Sequence, residues 1–288
     1  MTIRSLIHGL VENEQLNFVL TNRIPRRALT RFMGWFSKIE VPLVRDGSIA
    51  VFRFVCAPEL GEAKKQSFVS LHDCFIRELK EGARSIDRSA EVLISPCDGI
   101  VGAAGPIRDT ALLQVKGFAY RLEELLRDAE LAARYRDGTY VTLRLTAGMY
   151  HRFHAPDDCR AEQVAHIPGD AWNVNPAALK RIDKVYCRNE RMVLSLALER
   201  APQRITLVAV AAVLVAGIRL SFLDVFVARN GHGPTVMHAA ARLGKGDELG
   251  WFEHGSTIVV LAPAGFRLCG EVGEGNLIRM GQALLRYP

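Results

Sequence analysis

"ITLVAVAAVLVAGI", residues 205–218, is the longest apolar run in the chain, and its reading decides the fold. At fourteen residues it falls short of the roughly 20 that a helix needs to cross a bilayer. It is rich in valine and bounded by Arg204 and Arg219. That composition favours a covered strand, or a pair of strands. Similar short runs surround it: "EVLISPCDGIVGAAG" (91–105), "ALLQVKG" (111–117), "TYVTLRLTAGMYHRFHAP" (139–156), "RMVLSLALE" (191–199) and "GSTIVVLAP" (255–263). Gly, Pro and Asp punctuate them, and one helix, "YRLEELLRDAELAARYRDG" (120–138), is expected among them. Strand runs with turn signals and few helices predict an α+β fold with a β-rich antiparallel body, not a doubly wound one.

The first 45 residues have a different texture and read as amphipathic helices. Ile3, Leu6, Ile7 and Leu10 share one helical face; Leu29, Phe32, Met33 and Phe36 share another, which Pro25 could open at its first turn. Arg23, Arg26, Arg27, Arg31 and Lys38 surround the second stripe. Such a stripe suits a helix packed on its own domain, or one lying in a membrane interface. "SLHDCFIRELKEG" (70–82) reads as a further short helix ended by Gly82. A boundary near residue 65 divides an N-terminal helical region, 1–65, from a body, 66–288.

The 288 residues are 49% hydrophobic, enough for a sizeable core, and the formal net charge of +6 favours anionic partners. The six cysteines, Cys56, Cys74, Cys97, Cys159, Cys187 and Cys269, form no C-x-x-C pair and read as reduced thiols. "MTIRSLIHGL" (1–10) carries no secretory h-region.

Four polar features interrupt the apolar runs. Asp98 sits in "SPCDGIV", where Asp-Gly also signals an ordinary turn. His151 and His154 sit in "MYHRFHAP"; three apart on a flat strand, they point to opposite faces, which argues against zinc. Gly255-Ser256-Thr257 opens a strand, and Arg77, Lys80 and Arg84 crowd "FIRELKEGAR". Each has a plain structural reading. Together they supply an acid, an imidazole and a hydroxyl, and an imidazole held by a carboxylate can deprotonate a serine near neutral pH.

These segments, in this order, resemble the phosphatidylserine decarboxylase family. "CFIRELKEGARSID", "SPCDGIV", "VKGFAYRLEELL", "YHRFHAP", "NVNPAAL" and "KGDELGWFEHGSTIVVL" follow its motifs over residues 70–262. The resemblance implies a proenzyme that cuts itself between Gly255 and Ser256. The seryl oxygen adds to the Gly255 carbonyl and the amide becomes an ester; β-elimination frees chain 1–255, and the dehydroalanine left at 256 is hydrolysed, with loss of ammonia, to a pyruvoyl group heading chain 256–288. It implies a histidine of this segment, held by Asp98, as the base for cleavage, carried here to His154 with His151 as the alternative, and His151 as the candidate proton donor in decarboxylation. The substrate would be phosphatidylserine, bound as a Schiff base, with phosphatidylethanolamine and CO2 as products. Arg77, Lys80 and Arg84 are candidate substrate-binding groups by charge. Neither pyridoxal phosphate nor a metal is expected, and nucleic acid is not an expected partner. The two chains of one precursor would stay together, with room for a homodimer, peripherally on the cytoplasmic face of the cell membrane, anchored by the Arg23–Lys38 stripe in an anionic bilayer.

Some residues depart from the family pattern. His254 replaces an apolar residue before Gly-Ser-Thr, Ala211 and Ala216 replace glycines, and Cys159 replaces another. Ile76 and Ser85 replace Phe and Pro. These departures leave as alternatives a non-cleaving membrane-binding homologue and a decarboxylase of a related amino-acid head group. A conventional serine hydrolase is disfavoured, because "EHGSTI" is not a G-x-S-x-G elbow.

Overall fold

The computed structural model describes residues 25–115, 118–213, 217–223, 235–253 and 256–288. The helical positions before Pro25, together with Arg23, Ala216, His254 and Gly255, lie outside them.

Helix α1 (Arg26–Phe36) follows Pro25, which takes the N-cap position. Helix α2 (Pro42–Cys56) begins with proline at its first turn and ends at Ala57 in the left-handed region, φ 44°. Their inner residues, among them Met33, Phe36, Ile49 and Phe52, pack on Phe68, Leu71, Cys74 and Phe75 in a small core. This core lies on both sides of residue 65.

Helix α3 (Leu71–Phe75) starts where the Ser70 hydroxyl accepts the Asp73 N–H at 3.1 Å. The helix expected over 70–82 stops at Phe75. The chain then runs extended, because Lys64 N donates to Glu78 O and Lys80 N donates to Glu62 O, both at 2.9 Å.

The body carries strands β1 (Val92–Ile94), β2 (Gly99–Pro106), β3 (Ala111–Val115), β4 (Phe118–Arg121), β5 (Thr139–Leu145), β6 (Arg152–His154), β7 (Cys159–Ile167), β8 (Arg191–Leu198), β9 (Arg204–Ala211), β10 (Ile218–Leu220), β11 (Thr235–Leu243), β12 (Glu248–Phe252), β13 (Ser256–Ala262), β14 (Arg267–Leu268), β15 (Leu277–Ile278) and β16 (Ala283–Arg286). Eight form one antiparallel sheet in the order β11-β7-β8-β9-β13-β5-β2-β15. A second sheet is ordered β10-β12-β6, a third β1-β16-β14, and β3-β4 is a hairpin. The fold is therefore α+β with an antiparallel body. The run 205–218 supplies β9 and the first residue of β10, in different sheets.

The single helix expected over 120–138 is two: α4 (Leu122–Leu126) and α5 (Ala129–Ala133). Arg127 turns left-handed at φ 55°, and the Asp128 carboxylate accepts the Leu131 N–H at 2.9 Å, capping a fresh start.

Strand β13 lies mid-sheet with all seven residues buried. Ile258, Val259, Val260 and Leu261 are each fully buried. At about 1.5–3 kcal/mol per apolar side chain as an upper estimate, this strand alone contributes substantially to holding 256–288 in place.

Candidate active site

Ser256 is the first residue of β13, paired with Leu145 at the end of β5 and Ala211 at the end of β9. Its side chain is fully buried, and its hydroxyl finds no hydrogen-bond partner among the described residues. A buried hydroxyl without a partner costs about 1–3 kcal/mol, a condition that Ser256 shares with Ser37 and Thr142 among the described residues.

With its hydroxyl buried behind the wall, Ser256 is among the residues that line a cavity of about 840 Å3. Leu145, Thr146 and Ala212 line it near the strand ends, and Met33, Phe36, Leu43, Val51 and Phe52 form an apolar wall from α1 and α2. Leu43, Val51 and Val55 both line the cavity and are exposed, at 85%, 63% and 53%. With Phe32 (52%), Trp35 (64%) and Phe54 (48%), they make an exposed apolar face continuous with the cavity. No helix among the described residues is long and apolar enough to cross a membrane.

Beyond Leu145 the chain runs on to β6, which pairs with β12 through Arg152 and Trp251. His151 precedes β6: its carbonyl accepts the Phe252 N–H at 3.0 Å. It is fully buried, and its ring centroid lies 4.1 Å from that of Phe75, itself a cavity residue. Its Nδ1 donates to the Met149 carbonyl at 2.9 Å, which puts the lone pair of the neutral ring on Nε2.

His154 lies at the far end of β6, opposite Glu248. Its Nδ1 donates to the Gly246 carbonyl at 2.9 Å, so its Nε2 accepts the Tyr150 hydroxyl at 3.0 Å. Burial pushes its pKa down, partly offset by the bond to Gly246. The ring is therefore held neutral, in the form able to take a proton.

The carboxylate expected beside His154 has other partners. Asp98 accepts Arg84 Nε at 2.9 Å and Nη2 at 2.6 Å, and accepts the Met280 N–H at 2.9 Å. It acts on His154 and Tyr150 through space, raising both pKa values slightly among larger causes. Asp98 and Tyr150 line a second cavity of about 150 Å3, which shares Cys56 and Thr146 with the large one. Because Met280 belongs to 256–288, the Asp98 carboxylate ties the two sides of the expected cut together. Tyr287 does the same by donating to Asp157 at 2.7 Å.

The three basic candidates are not on one helix face. Buried Arg77 donates through Nη2 to the carbonyls of Gly148 and Met149, at 2.9 and 3.1 Å, bracing the loop that carries His151. Lys80 donates to the Gly61 carbonyl at 2.8 Å. Arg84 binds Asp98 and, at 2.7 Å, Glu62. None of the three lines the large cavity. Of the basic stripe, Arg26 is drawn inward: it donates to Asp170 at 2.7 Å and lies 3.4 Å from the Trp172 ring centroid.

Two residues escaped the sequence reading. Tyr150 was visible inside "YHRFH" but carried no role there. Glu253 is buried just ahead of the expected cleavage bond, between Lys38 of the α1–α2 connection at 3.6 Å and Arg219 of β10 at 3.5 Å. Both partners are distant in sequence, so no local pattern marks it.

A buried hydroxyl at a strand end, two imidazoles on the neighbouring segment, that of His154 held neutral, and an apolar cavity open to the surface can support acyl chemistry on an amphiphile. Comparison with known proteins gives that arrangement a family. A family model described as phosphatidylserine decarboxylase matches residues 71–286. The phosphatidylserine decarboxylase proenzyme of Haemophilus influenzae is 33% identical over 270 residues, covering 91% of this chain and 92% of its own. That of Vibrio parahaemolyticus is 34% identical over 248 residues, covering 83% and 86%. That of Saccharophagus degradans is 30% identical over 279 residues, covering 94% and 97%. With one family matched over most of its length and relatives aligned nearly end to end, this chain belongs to the phosphatidylserine decarboxylase family, a family of lyases.

Proposed function

We propose that this chain is made as a proenzyme, cuts itself between Gly255 and Ser256, and decarboxylates phosphatidylserine to phosphatidylethanolamine and CO2 with the pyruvoyl group formed from Ser256. The observation that carries this reading is Ser256 at the head of β13, its hydroxyl buried and unbonded among the described residues, beside an apolar cavity that opens onto an exposed apolar face. A serine waiting for an outside ester would need access. One that reacts with its own chain needs only the neighbouring carbonyl.

In cleavage, a histidine takes the Ser256 proton as the oxygen adds to the Gly255 carbonyl. His154 is the assigned base: the Gly246 carbonyl fixes its tautomer, burial keeps it neutral, and its Nε2 receives the proton by exchanging the Tyr150 hydroxyl for that of Ser256. Tyr150 orients its ring, and the Asp98 carboxylate favours the protonated imidazole through space. Once formed, the pyruvoyl ketone supplies the electron sink that decarboxylation needs. His151, against Phe75 at the cavity wall, returns the proton to the head-group carbon. The walls of α1 and α2 receive the acyl chains and exclude water. The exposed Phe32, Trp35 and Leu43 face seats the protein peripherally on the cytoplasmic leaflet, helped by a net charge of +6.

Intact mass of the purified protein tests this directly. Two chains, 1–255 and a pyruvoyl-blocked 256–288, are expected, with a single chain of 288 residues for Ser256→Ala. Folded wild-type protein that stays uncut and inactive on phosphatidylserine vesicles would refute the reading.

A further inference from the structure

Among the described residues the large cavity has one charged lining residue, and it is none of the basic groups that the sequence brought forward. Arg144, on β5, lines it together with Ser256. It stands one register step from Ser256, whose partner on β5 is Leu145. Strand spacing and rise put the two Cα atoms roughly 6 Å apart. Alternation sends Arg144 and Leu145 to opposite faces, and the cavity takes in both because it wraps the end of the β5–β13 pair.

Among the described residues, Arg144 forms no ion pair, whereas Arg84 holds Asp98 and Glu62 and Arg279 holds Glu59. Burial lowers its pKa, yet a guanidinium stays charged at any pH the protein meets. A permanent cation on a mostly apolar wall is costly unless an anion joins it.

We propose that Arg144 binds the phosphodiester of the substrate's head group, as a specificity-determining residue of the decarboxylation site; this rests on the lipid-decarboxylase reading above. A phosphatidylserine head group brings two anions, and the choice between them follows from the reaction. The carboxylate loses its charge as CO2 leaves, so a cation fixed on it would stabilise the ground state more than the transition state and slow the reaction. The phosphodiester keeps its charge throughout, and the planar guanidinium fork fits two of its oxygens. Binding of this kind is uniform along the reaction and appears in KM. It also sets a geometry: the phosphate anchored by Arg144, the amine toward Ser256, and the acyl chains toward α1 and α2.

The test uses the mature protein and the Arg144→Gln and Arg144→Lys variants, each first confirmed as cut by intact mass. Calorimetry with glycerophosphocholine, which has a phosphodiester but neither a carboxylate nor a condensable amine, should show affinity falling by about 10- to 100-fold in Arg144→Gln, the range for a lost charge-assisted pair. Arg144→Lys should retain part of it. With phosphatidylserine in mixed micelles, KM should rise by a similar factor in Arg144→Gln while kcat stays within about three-fold. Unchanged glycerophosphocholine binding overturns the proposal, as does serine binding that depends on Arg144 or a rise in kcat, either of which would place the carboxylate there. Loss of cutting in both variants also overturns it, because a merely structural arginine would behave so. Arg144-dependent glycerophosphocholine binding by a wild-type protein that fails to decarboxylate phosphatidylserine would sustain the phosphodiester site and sink the decarboxylase reading.

Discussion

Replacing Arg84 by Met should destabilise the fold more than replacing Asp98 by Asn, although both changes break the same ion pair. The two side chains are 5% and 6% exposed and joined by bonds of 2.9 and 2.6 Å, so solvent screens the pair little. Without Arg84, the Asp98 carboxylate keeps only the Met280 N–H, and a buried charge loses its counter-ion, a cost of about 3–5 kcal/mol. Asp98→Asn is milder. The amide oxygen still accepts from Met280, and Arg84 keeps Glu62 at 2.7 Å, on a side chain 35% exposed. What is lost there is a charged hydrogen-bond pair, about 1–3 kcal/mol. Both variants should be made in a Ser256→Ala background, so that one uncut chain unfolds in each case. With a urea m-value of about 3 kcal/mol/M, the midpoint should fall by about 1–1.7 M for Arg84→Met and about 0.3–1 M for Asp98→Asn. Equal shifts, or the reverse order, would refute this reasoning and would mean that the Asp98 carboxylate serves a partner other than Arg84.

Acid should destabilise the chain partly through His154. Burial holds its folded pKa below the ordinary value near 6.5, so its contribution is full above that value and is lost as pH falls toward the lower folded value. His154→Gln should flatten the fall of the urea midpoint below about pH 6.5, and an unaltered pH profile would contradict the buried neutral ring. Glutamate at both Phe32 and Trp35, which are 52% and 64% exposed, should leave thermal stability nearly unchanged. Sedimentation with anionic vesicles should show binding weakened about ten-fold or more, since each such side chain carries about 1.5–3 kcal/mol of apolar burial. Undiminished sedimentation would move the docking face away from α1.

Local sequence determined much of this protein because the signals are short in range. Valine-rich runs between turn residues gave antiparallel strands, a 14-residue apolar stretch was too short to span a bilayer, and Gly-Ser-Thr sat at the head of a strand. Local patterning failed where distant backbone competed for the same groups. The segment after Phe75 left its helix because residues 62–64 offered it partners, and α4 and α5 separated where Asp128 capped a new turn. The acid, imidazole and hydroxyl could be named from the sequence, but their pairing could not. A carboxylate goes to the partner that lowers its energy most, and Arg84 and Met280 reach Asp98 only once the sheets have closed. Arg144 shows the same limit: one arginine in a strand has no distinguishing mark until folding leaves it as the one charge, among the described residues, on the wall of an apolar cavity, one register step from Ser256.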